Sequence, residues 1–164
     1  MNLVYHSTRN SEETATASEA ILKGLTSDGG LFVPDSIPKL NVSLEDLTQM
    51  SYQEIAYAVM KEFLTDFTEE ELKTCINNAY DSKFDTEEIA VTKKVDGAYY
   101  LELFHGATIA FKDMALSILP HLLVTSAIPA SSITARTAPP AATPAPSTAG
   151  FNKTRAPPNS DVTS

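Results

Sequence analysis

The sequence predicts an α+β fold. In this prediction, short helices and strands form a small body, and an unstructured tail follows it. Three observations indicate this fold: helical periodicity dominates before Ile89, alternating periodicity begins there, and both patterns end after Leu123. We therefore expect three regions, residues 1–88, 89–123 and 124–164. The first two together have the size of one ordinary domain.

The N-terminal region is predicted to combine a helix with a short strand. Residues 11–23 have helical periodicity, and Gly24 ends the helix because glycine is a common C-terminal cap. Residues 27–30, Ser-Asp-Gly-Gly, have the composition of a turn. A strand over residues 31–33 follows, and Pro34 closes it.

Two further helices are predicted from capping boxes, in which a hydroxyl residue is followed three positions later by a carboxylate. Ser51 with Glu54 forms the first box, and Thr68 with Glu71 forms the second. Each box precedes an amphipathic stripe, which ordinarily indicates a buried helix face. The stripes are Ile55, Ala56, Val59, Met60 and Phe63 in the first helix, and Leu72, Cys75, Ile76 and Ala79 in the second.

A β-hairpin is predicted in the second region. Asp96 and Gly97 form a two-residue turn signal between residues 91–94 and 99–103, which both have strand composition. The second strand is expected to lead through a glycine-containing turn into a helix over residues 111–119.

The third region begins where this helix loses its pattern. Pro120 must kink or end the helix because its nitrogen carries no proton to donate. Beyond Leu123, proline, alanine, serine and threonine supply 29 of the 41 residues from 124 to 164. Such a composition predicts a disordered tail.

Charge and hydropathy exclude several classes of function. Residues 124–164 carry a net charge of +2, so residues 1–123 carry −11 within the whole-chain charge of −9. An acidic body repels phosphate backbones, which argues against general nucleic-acid binding. No apolar run approaches the roughly 20 residues that span a bilayer, and the start lacks the basic and apolar blocks of a secretory signal. We expect a cytoplasmic protein that contacts no membrane.

The sulfur and imidazole content gives no indication of a metal site. The chain has one cysteine, Cys75, and three widely separated histidines, which excludes a disulfide framework and zinc-ligand spacing. Cys75 lies in an apolar stripe, so it is expected to be a small buried side chain.

Lys112 is the first candidate for a catalytic side chain. It follows a predicted strand and turn and lies near a helix N-terminus, where the amide groups favour anions and disfavour a protonated amine. A lysine placed there loses its proton more easily, and the neutral amine is the form that attacks a carbonyl carbon. The alternative is a surface lysine whose neighbour Asp113 offsets the helix dipole.

His105 and Thr108 are the other polar candidates in this segment. His105 could donate to a phosphate or orient a substrate, or it could be a neutral histidine bonded to a backbone carbonyl. Thr108 is most simply a cap for the helix that follows. The spacing alone leaves these alternatives open.

Two segments resemble the threonine synthases, which use pyridoxal 5'-phosphate to convert O-phosphohomoserine and water into threonine and phosphate. Residues 101–113 read LELFHGATIAFKD and resemble the lysine motif of this family. Residues 24–34 read GLTSDGGLFVP and resemble its N-terminal signature. The chain also resembles the family at its start, in residues Tyr5, Ser7, Thr8 and Arg9. The resemblance implies the family's N-terminal region over residues 1–88, followed by the start of a fold type II catalytic domain over residues 89–123.

The resemblance also implies a role for each residue of the lysine motif. Lys112 matches the lysine that holds the cofactor covalently and moves protons during the reaction. Phe111 and Asp113 match positions at the cofactor, and His105 and Thr108 match positions at the substrate or just behind it. The implied partner is a small molecule, O-phosphohomoserine.

The sequence departs from the family in two places. Ala107 stands where the family has proline, so the loop that presents Lys112 is expected to be less rigid. After Leu123 the family continues with a strand and a Gly/Ser/Thr-rich loop that holds the cofactor phosphate at a helix N-terminus. The tail has a single glycine, Gly150. A truncated or frameshifted reading frame would produce such a change.

The sequence therefore predicts the N-terminal part of a threonine synthase, a pyridoxal-phosphate-dependent carbon–oxygen lyase, that is inactive as a lone chain. The alternative is a non-catalytic interaction protein, in which the acidic body binds a partner and the proline-rich tail is a linker or ligand. A pull-down that depends on the tail and that Lys112→Ala leaves unchanged would favour the alternative.

Overall fold

The computed structural model describes residues 3–10 and 12–128. The expectation of a disordered tail falls, beyond Ile128, outside the described residues. None of the helices within these ranges combines the length and the hydropathy that crossing a bilayer requires. The elements are, in chain order, β1 (Tyr5–Ser7), β2 (Thr14–Ala15), α1 (Ala17–Lys23), β3 (Phe32–Pro34), α2 (Leu44–Leu47), α3 (Tyr52–Phe63), α4 (Glu69–Ala79), β4 (Val91–Val95), β5 (Ala98–Glu102), α5 (Asp113–Leu116) and α6 (Leu119–Ala127).

The first three strands form an antiparallel sheet in the order β2-β1-β3. β1 is central, with Tyr5 opposite Ala15 on one side and opposite Pro34 on the other. The strand predicted over residues 31–33 is present but shifted by one residue. Pro34 is its last residue, and a proline is tolerated there because β3 is an edge strand of this sheet.

Helix α1 begins at Ala17, so the predicted start at residue 11 is wrong. Two residues of the expected first turns pair with β1 as strand β2, a long-range contact that local periodicity does not register. Thr16 and Glu19 then form a capping box, in which Thr16 N donates to Glu19 Oε2 at 2.9 Å. Gly24 ends the helix as predicted, with a φ of +72°.

Helices α3 and α4 confirm both predicted capping boxes. Ser51 N donates to Glu54 Oε2 at 2.8 Å, and Thr68 N donates to Glu71 Oε2 at the same distance. Helix α2 is a single turn capped by Ser43, and it was not predicted from the sequence.

The core lies where α4 and α6 meet the segment that follows α4. α4 packs against α3 and α6, and α6 also packs against α1. Cys75 is buried in this core, as its position in an apolar stripe predicted. The buried members of the core are Leu72, Cys75, Ile76, Ala79, Tyr80, Phe84, Ile89, Ile118 and Leu122.

Strands β4 and β5 form the predicted hairpin. Val95 pairs with Ala98, so only Asp96 and Gly97 connect the strands. Their φ angles are +49° and +83°, which is the geometry that a type I′ turn requires at both central positions. β5 ends at Glu102, one residue before the predicted end.

The single helix predicted over residues 111–119 is wrong, because the chain forms two short helices there, α5 and α6. Pro120 lies in the first turn of α6, where a missing amide proton has no partner to lose. α6 continues past the predicted boundary at Leu123. Leu122 and Ser126, one turn apart, are both buried, so packing extends the helix where the local pattern fades.

Candidate functional site

Lys112 lies at the end of a loop that runs from β5 to α5. Two backbone hydrogen bonds fold the loop into turns: Ile109 N donates to Gly106 O, and Asp113 N donates to Ala110 O, both at 3.0 Å. Ile109 has a φ of +62°, a left-handed conformation that a β-branched residue rarely adopts. The loop therefore has a defined and partly strained path to Lys112.

The Asp113 carboxylate braces this loop from inside. The residue is buried, with Oδ2 accepting from Thr108 N at 2.7 Å and Oδ1 accepting from Thr108 Oγ1 at 2.6 Å. The bond from the Thr108 hydroxyl is the largest cause that holds the pKa of Asp113 below its ordinary value, and the Thr108 amide adds to it. The sequence predicts that Thr108 caps the helix that follows. Thr108 does not cap α5 and instead donates two hydrogen bonds, from its amide and from its hydroxyl, to Asp113.

Gly106 permits the close approach that the brace needs. A Cβ atom at this position would lie 2.5 Å from Asp113 Cβ and 2.6 Å from Asp113 Oδ2. Both distances are shorter than real Cβ contacts allow, so a larger residue would displace the carboxylate. Gly106, Thr108 and Asp113 together fix the backbone of the residues that present Lys112, and we call these three residues the carboxylate brace.

Lys112 itself is exposed and occupies the N-cap position of α5, one residue before the first helical turn. Within the part of the chain that the structure describes, no group forms a hydrogen bond or ion pair with its ammonium. Phe111 beside it is also exposed, with 67% of its surface accessible. Both side chains are free to contact a molecule that binds there.

His105 lies between two carboxylates. Nδ1 is 2.6 Å from Asp85 Oδ1, and Nε2 is 2.9 Å from Glu102 Oε2. The bond to Glu102 is the largest cause that raises the pKa of His105, and Asp85 adds to it. The neutral histidine considered from the sequence is therefore not what the geometry favours, because both ring nitrogens face acceptors that stabilise the protonated form.

The contacts of His105 with Asp85 and Glu102, which we call the His105 bridge, extend to the hairpin and to the segment after α4. Lys93 Nζ forms an ion pair with Glu102 Oε1 at 3.0 Å. His105 O accepts from Asp85 N at 3.0 Å, and the Phe104 ring lies 4.7 Å from the imidazole, centre to centre. Glu102 could have been predicted from the sequence as a partner of His105, because the two are three residues apart. Asp85 is twenty residues from His105, so no local sequence pattern predicts this contact.

Tyr80 anchors the far side of the loop. Its hydroxyl donates at 2.8 Å to the backbone carbonyl of Met114, two residues after Lys112. The ring packs edge-on against Tyr52 at 4.8 Å between centroids, and burial is the largest cause that raises the pKa of Tyr80. The helix that follows Lys112 is thus fixed to the core at the end of α4.

The N-terminal motif forms a separate cluster centred on Asp28. Its Oδ1 accepts from Ser7 Oγ at 2.9 Å, from Thr26 Oγ1 at 2.5 Å and from Gly30 N at 2.9 Å. Arg9 donates to Asp28 O at 2.9 Å. These bonds tie β1 to the turn before β3, so the motif residues act in holding the fold together.

Two of the concavities formed by the described residues have volumes near 400 Å³, and neither is lined by Lys112. The first, of about 390 Å³, is lined in part by Asp81, Asp85 and Glu87, a charge that disfavours a phosphate. The second, of about 400 Å³, includes Lys61 and Lys73, and Lys73 is paired with Glu69 at 2.6 Å. Over residues 3–10 and 12–128, no group of three or more His, Cys, Asp or Glu is placed to hold a metal ion.

Comparison with known proteins gives a consistent result. The family model described as "Threonine synthase N terminus" matches residues 4–80. The threonine synthase of Saccharomyces cerevisiae is 38% identical over 129 residues, which cover 73% of this chain and 25% of that protein. Curated relatives of this kind are about four times as long as the matched part, since the chain spans about a quarter of their length.

Solved structures show the same relationship. A yeast threonine synthase structure superposes with a TM-score of 0.68 at 35% identity, covering 77% of this chain and 28% of that chain. A structure of threonine synthase from Brucella melitensis with bound PLP also gives a TM-score of 0.68, at 30% identity over 76% of this chain and 27% of that chain. The α+β fold predicted from the sequence is confirmed by these neighbours.

Proposed function

We propose that this protein takes part in pyridoxal-phosphate-dependent threonine synthesis. Two observations support the proposal: residues 4–80 match the family model of the threonine synthase N terminus, and the described residues superpose on part of solved threonine synthases. Its proposed contribution is Lys112, the lysine that holds the cofactor. The proposed substrate is O-phosphohomoserine, and the proposed products are threonine and phosphate.

The observation that carries this proposal is the carboxylate brace. A lysine that acts on a bound cofactor needs a backbone fixed to within a fraction of an ångström. Thr108 and Asp113, joined at 2.6 and 2.7 Å across Gly106, supply that rigidity without occupying the amine. A lysine with only a surface role would not require a buried carboxylate to fix the loop before it.

The described residues fit the amine part of a cofactor site. Pyridoxal phosphate, when bound, withdraws electrons from bonds at the substrate α-carbon. Lys112 offers an exposed amine without a partner among the described residues, and the exposed ring of Phe111 is available beside it for the cofactor. His105 holds the end of β5 in place through Glu102, which positions the start of the same loop.

The same geometry supports the proposal that this chain does not catalyse the reaction alone. Lys112 is exposed to water, and neither described concavity includes it. Water competes with every polar contact at an open site, whereas catalysis requires a preorganised and enclosed one. Residues beyond those described are needed to hold the cofactor phosphate.

Reductive labelling tests the role of Lys112. The full chain is incubated with pyridoxal phosphate, reduced with borohydride and analysed by peptide mass spectrometry. We expect label on several exposed lysines, Lys112 among them, and only a slight fall in total label in Lys112→Ala, since an open site holds the cofactor loosely. Lys39→Ala, which removes another exposed lysine, is the matched control.

Two results would contradict parts of the proposal. Absence of label on Lys112 when Lys39 is labelled would overturn its assignment as the cofactor lysine. Retention of one cofactor per chain through gel filtration, or threonine formation that Lys112→Ala abolishes and Lys39→Ala does not, would show that the chain suffices for catalysis.

The proposal includes the cytoplasmic location expected from the sequence. The matches reported above give no support to the alternative of an acidic interaction protein. A truncated or frameshifted reading frame stays a hypothesis, which the other reading frames of the gene past codon 123 would test.

A further inference from the structure

The concavity of about 400 Å³ that Lys73 lines lies between helices α3 and α4, and no residue of the loop before α5 lines it. Gln53 Nε2, at the start of α3, donates at 2.7 Å to the backbone carbonyl of Tyr80, just past the end of α4. Lys73 Nζ lies 5.1 Å from the centre of the Tyr57 ring, one turn further along α3. The two helices are therefore antiparallel, and we call the concavity between them the α3–α4 groove.

One end of the α3–α4 groove carries an available cation. Lys61 and Lys73 both line it, and Lys61 Nζ lies 5.7 Å from the centre of the Tyr57 ring. Lys73 is neutralised by Glu69 at 2.6 Å. Lys61 has a weak ion pair with its neighbour Glu62, at 4.0 Å, because consecutive residues of a helix do not face each other. The Lys61 ammonium is thus free to bind an anionic group in the groove.

The other end of the α3–α4 groove carries a carboxylate. Glu54 lines the groove seven residues before Lys61, which places the two backbone positions about 10 Å apart along α3. Glu54 Oε2 accepts from Ser51 N at 2.8 Å, and this bond is the largest cause that lowers the pKa of Glu54. The carboxylate is therefore ionised at neutral pH. The groove has opposite charges near its two ends.

Amide groups and apolar side chains line the space between these charges. The Gln53 side chain donates to Tyr80 through its nitrogen, so its oxygen is left as an acceptor. Asn77 is exposed, and its amide can both donate and accept. A mainly apolar lining with a few fixed polar groups is typical of a small-molecule site. The apolar members are Val42, Met50, Ala58 and Ile76.

We propose that the α3–α4 groove binds a short zwitterionic peptide of about three residues. Its C-terminal carboxylate pairs with Lys61, its N-terminal ammonium pairs with Glu54, and its peptide groups bond the amides of Gln53 and Asn77. An extended chain of three residues spans about 10 Å, which matches the separation along α3. A free α-amino acid carries its two charges on one carbon atom, so it cannot reach both ends.

The net charge of the ligand also agrees with the body around the groove. Residues 1–123 carry a net charge of −11, which repels a purely anionic ligand. A zwitterion has no net charge to be repelled, and it uses the local cation and the local carboxylate together. Binding in the α3–α4 groove goes beyond the proposed threonine synthesis and requires no chemistry at Lys112.

An NMR titration tests the α3–α4 groove. The full 164-residue chain, labelled with nitrogen-15, is titrated with the tripeptide alanyl-leucyl-alanine. We expect saturable shifts of amide signals from the groove residues. Lys61→Gln and Glu54→Gln should each weaken binding about two- to fivefold, since an exposed ion pair contributes modestly. Glutamine can replace glutamate in a capping box, so Glu54→Gln keeps the start of α3.

The matched controls are Lys39→Gln and Glu12→Gln, which remove the same charges at exposed positions outside the groove. Both should leave the affinity unchanged, and the amide spectrum of every variant reports that it is folded. Equal weakening by the controls would show that the total charge of the protein, and not the groove, governs binding. That result would overturn the proposal, as would a titration without saturable shifts at the groove.

Modified peptides test each end separately. The N-acetylated tripeptide lacks the ammonium, so it should bind the unmodified protein two- to fivefold more weakly, and Glu54→Gln should weaken it no further. The C-terminal amide should behave in the same way toward Lys61→Gln. Binding of the acetylated peptide or of free leucine as tightly as the tripeptide would overturn the proposal. No arm contains pyridoxal phosphate or O-phosphohomoserine, so the role of Lys112 is tested separately.

Discussion

Gly106 shows how a single missing side chain determines the position of the candidate lysine. The absence of a Cβ atom lets the Asp113 carboxylate reach Thr108 across the loop. The sequence could predict that these residues belong to one motif, because they match a family pattern. It could not predict that Asp113 binds the loop itself, because that depends on a contact made only when the loop folds back.

Gly106→Ala is expected to destabilise the protein by roughly 1–3 kcal/mol, because the added methyl group overlaps Asp113 and forces the brace apart. Urea unfolding followed by circular dichroism measures the change. Ala107→Ser, at the exposed neighbouring position, is the control and should change the free energy of unfolding by less than about 0.5 kcal/mol. Equal changes in the free energy of unfolding for the two variants would show that the loop accommodates the added methyl group without losing the brace.

Ala107→Pro tests whether the residue that differs from the family loosens the loop. We expect an increase of about 0.4–1 kcal/mol in the free energy of unfolding, since proline restricts the unfolded chain. Cleavage within residues 103–112 by a dilute protease should also become slower. A faster cleavage would mean that the loop here follows a path that proline does not fit.

The His105 bridge predicts a pH dependence with two limbs. The raised pKa of His105 contributes stability that is fully present below its unfolded value of about 6.5 and is lost as pH rises through the folded value. The lowered pKa of Glu102 contributes stability that is present above its unfolded value of about 4.5 and is lost as pH falls through the folded value. Asp85, Glu102 and, through Glu102, Lys93 are the charged groups that face the imidazole.

His105→Gln should therefore destabilise the protein most between these limits, near pH 5 to 6.5, and progressively less as the pH rises beyond the raised pKa of His105. Urea unfolding of both proteins across this range measures the difference. His121→Gln is the control, because that histidine has no carboxylate partner among the described residues. A difference that does not change with pH would contradict the bridge.

At the scale of elements, the predictions succeeded where the determinants are local. The boxes at Ser51 and Thr68 and the Asp96-Gly97 turn each specify their element within four or five residues. The failures share a cause as well. β2 forms by pairing with a distant strand, and α6 continues to Ala127 because Leu122 and Ser126 are buried by other elements.

Thr68→Ala is expected to lower the free energy of unfolding by about 1 kcal/mol, because it removes the hydroxyl of the α4 capping box. The loss also leaves the buried Glu71 carboxylate with one donor fewer. Thr74→Ala, on the exposed side of the same helix, should be neutral or slightly stabilising. Thermal unfolding of the two variants side by side gives the comparison.

At the scale of the whole molecule, α6 joins the first and last parts of the body. It packs against α1 and α4, and its Leu122 belongs to the core. The division into residues 1–88 and 89–123 stays a prediction, although side chains from both ranges share this core. Sequence patterns show where periodicity changes, and they do not show which elements bury one another.

Leu122→Ala is expected to destabilise the whole body by roughly 2–4 kcal/mol, because it removes a buried side chain and leaves a cavity. Val124→Ala, on the exposed side of α6, should change the stability by less than about 0.5 kcal/mol. Chemical unfolding with a single transition for both proteins would confirm that the body unfolds as one unit. Separate transitions in Leu122→Ala would indicate two.

Tyr80 is the last residue of the family match, and its hydroxyl donates to the backbone carbonyl of Met114. A recombination event that exchanged residues 4–80 for another sequence would remove the Tyr80 hydroxyl, which binds helix α5 at Met114. Any viable hybrid must therefore inherit a tyrosine at the junction, or find another donor to keep the lysine in place.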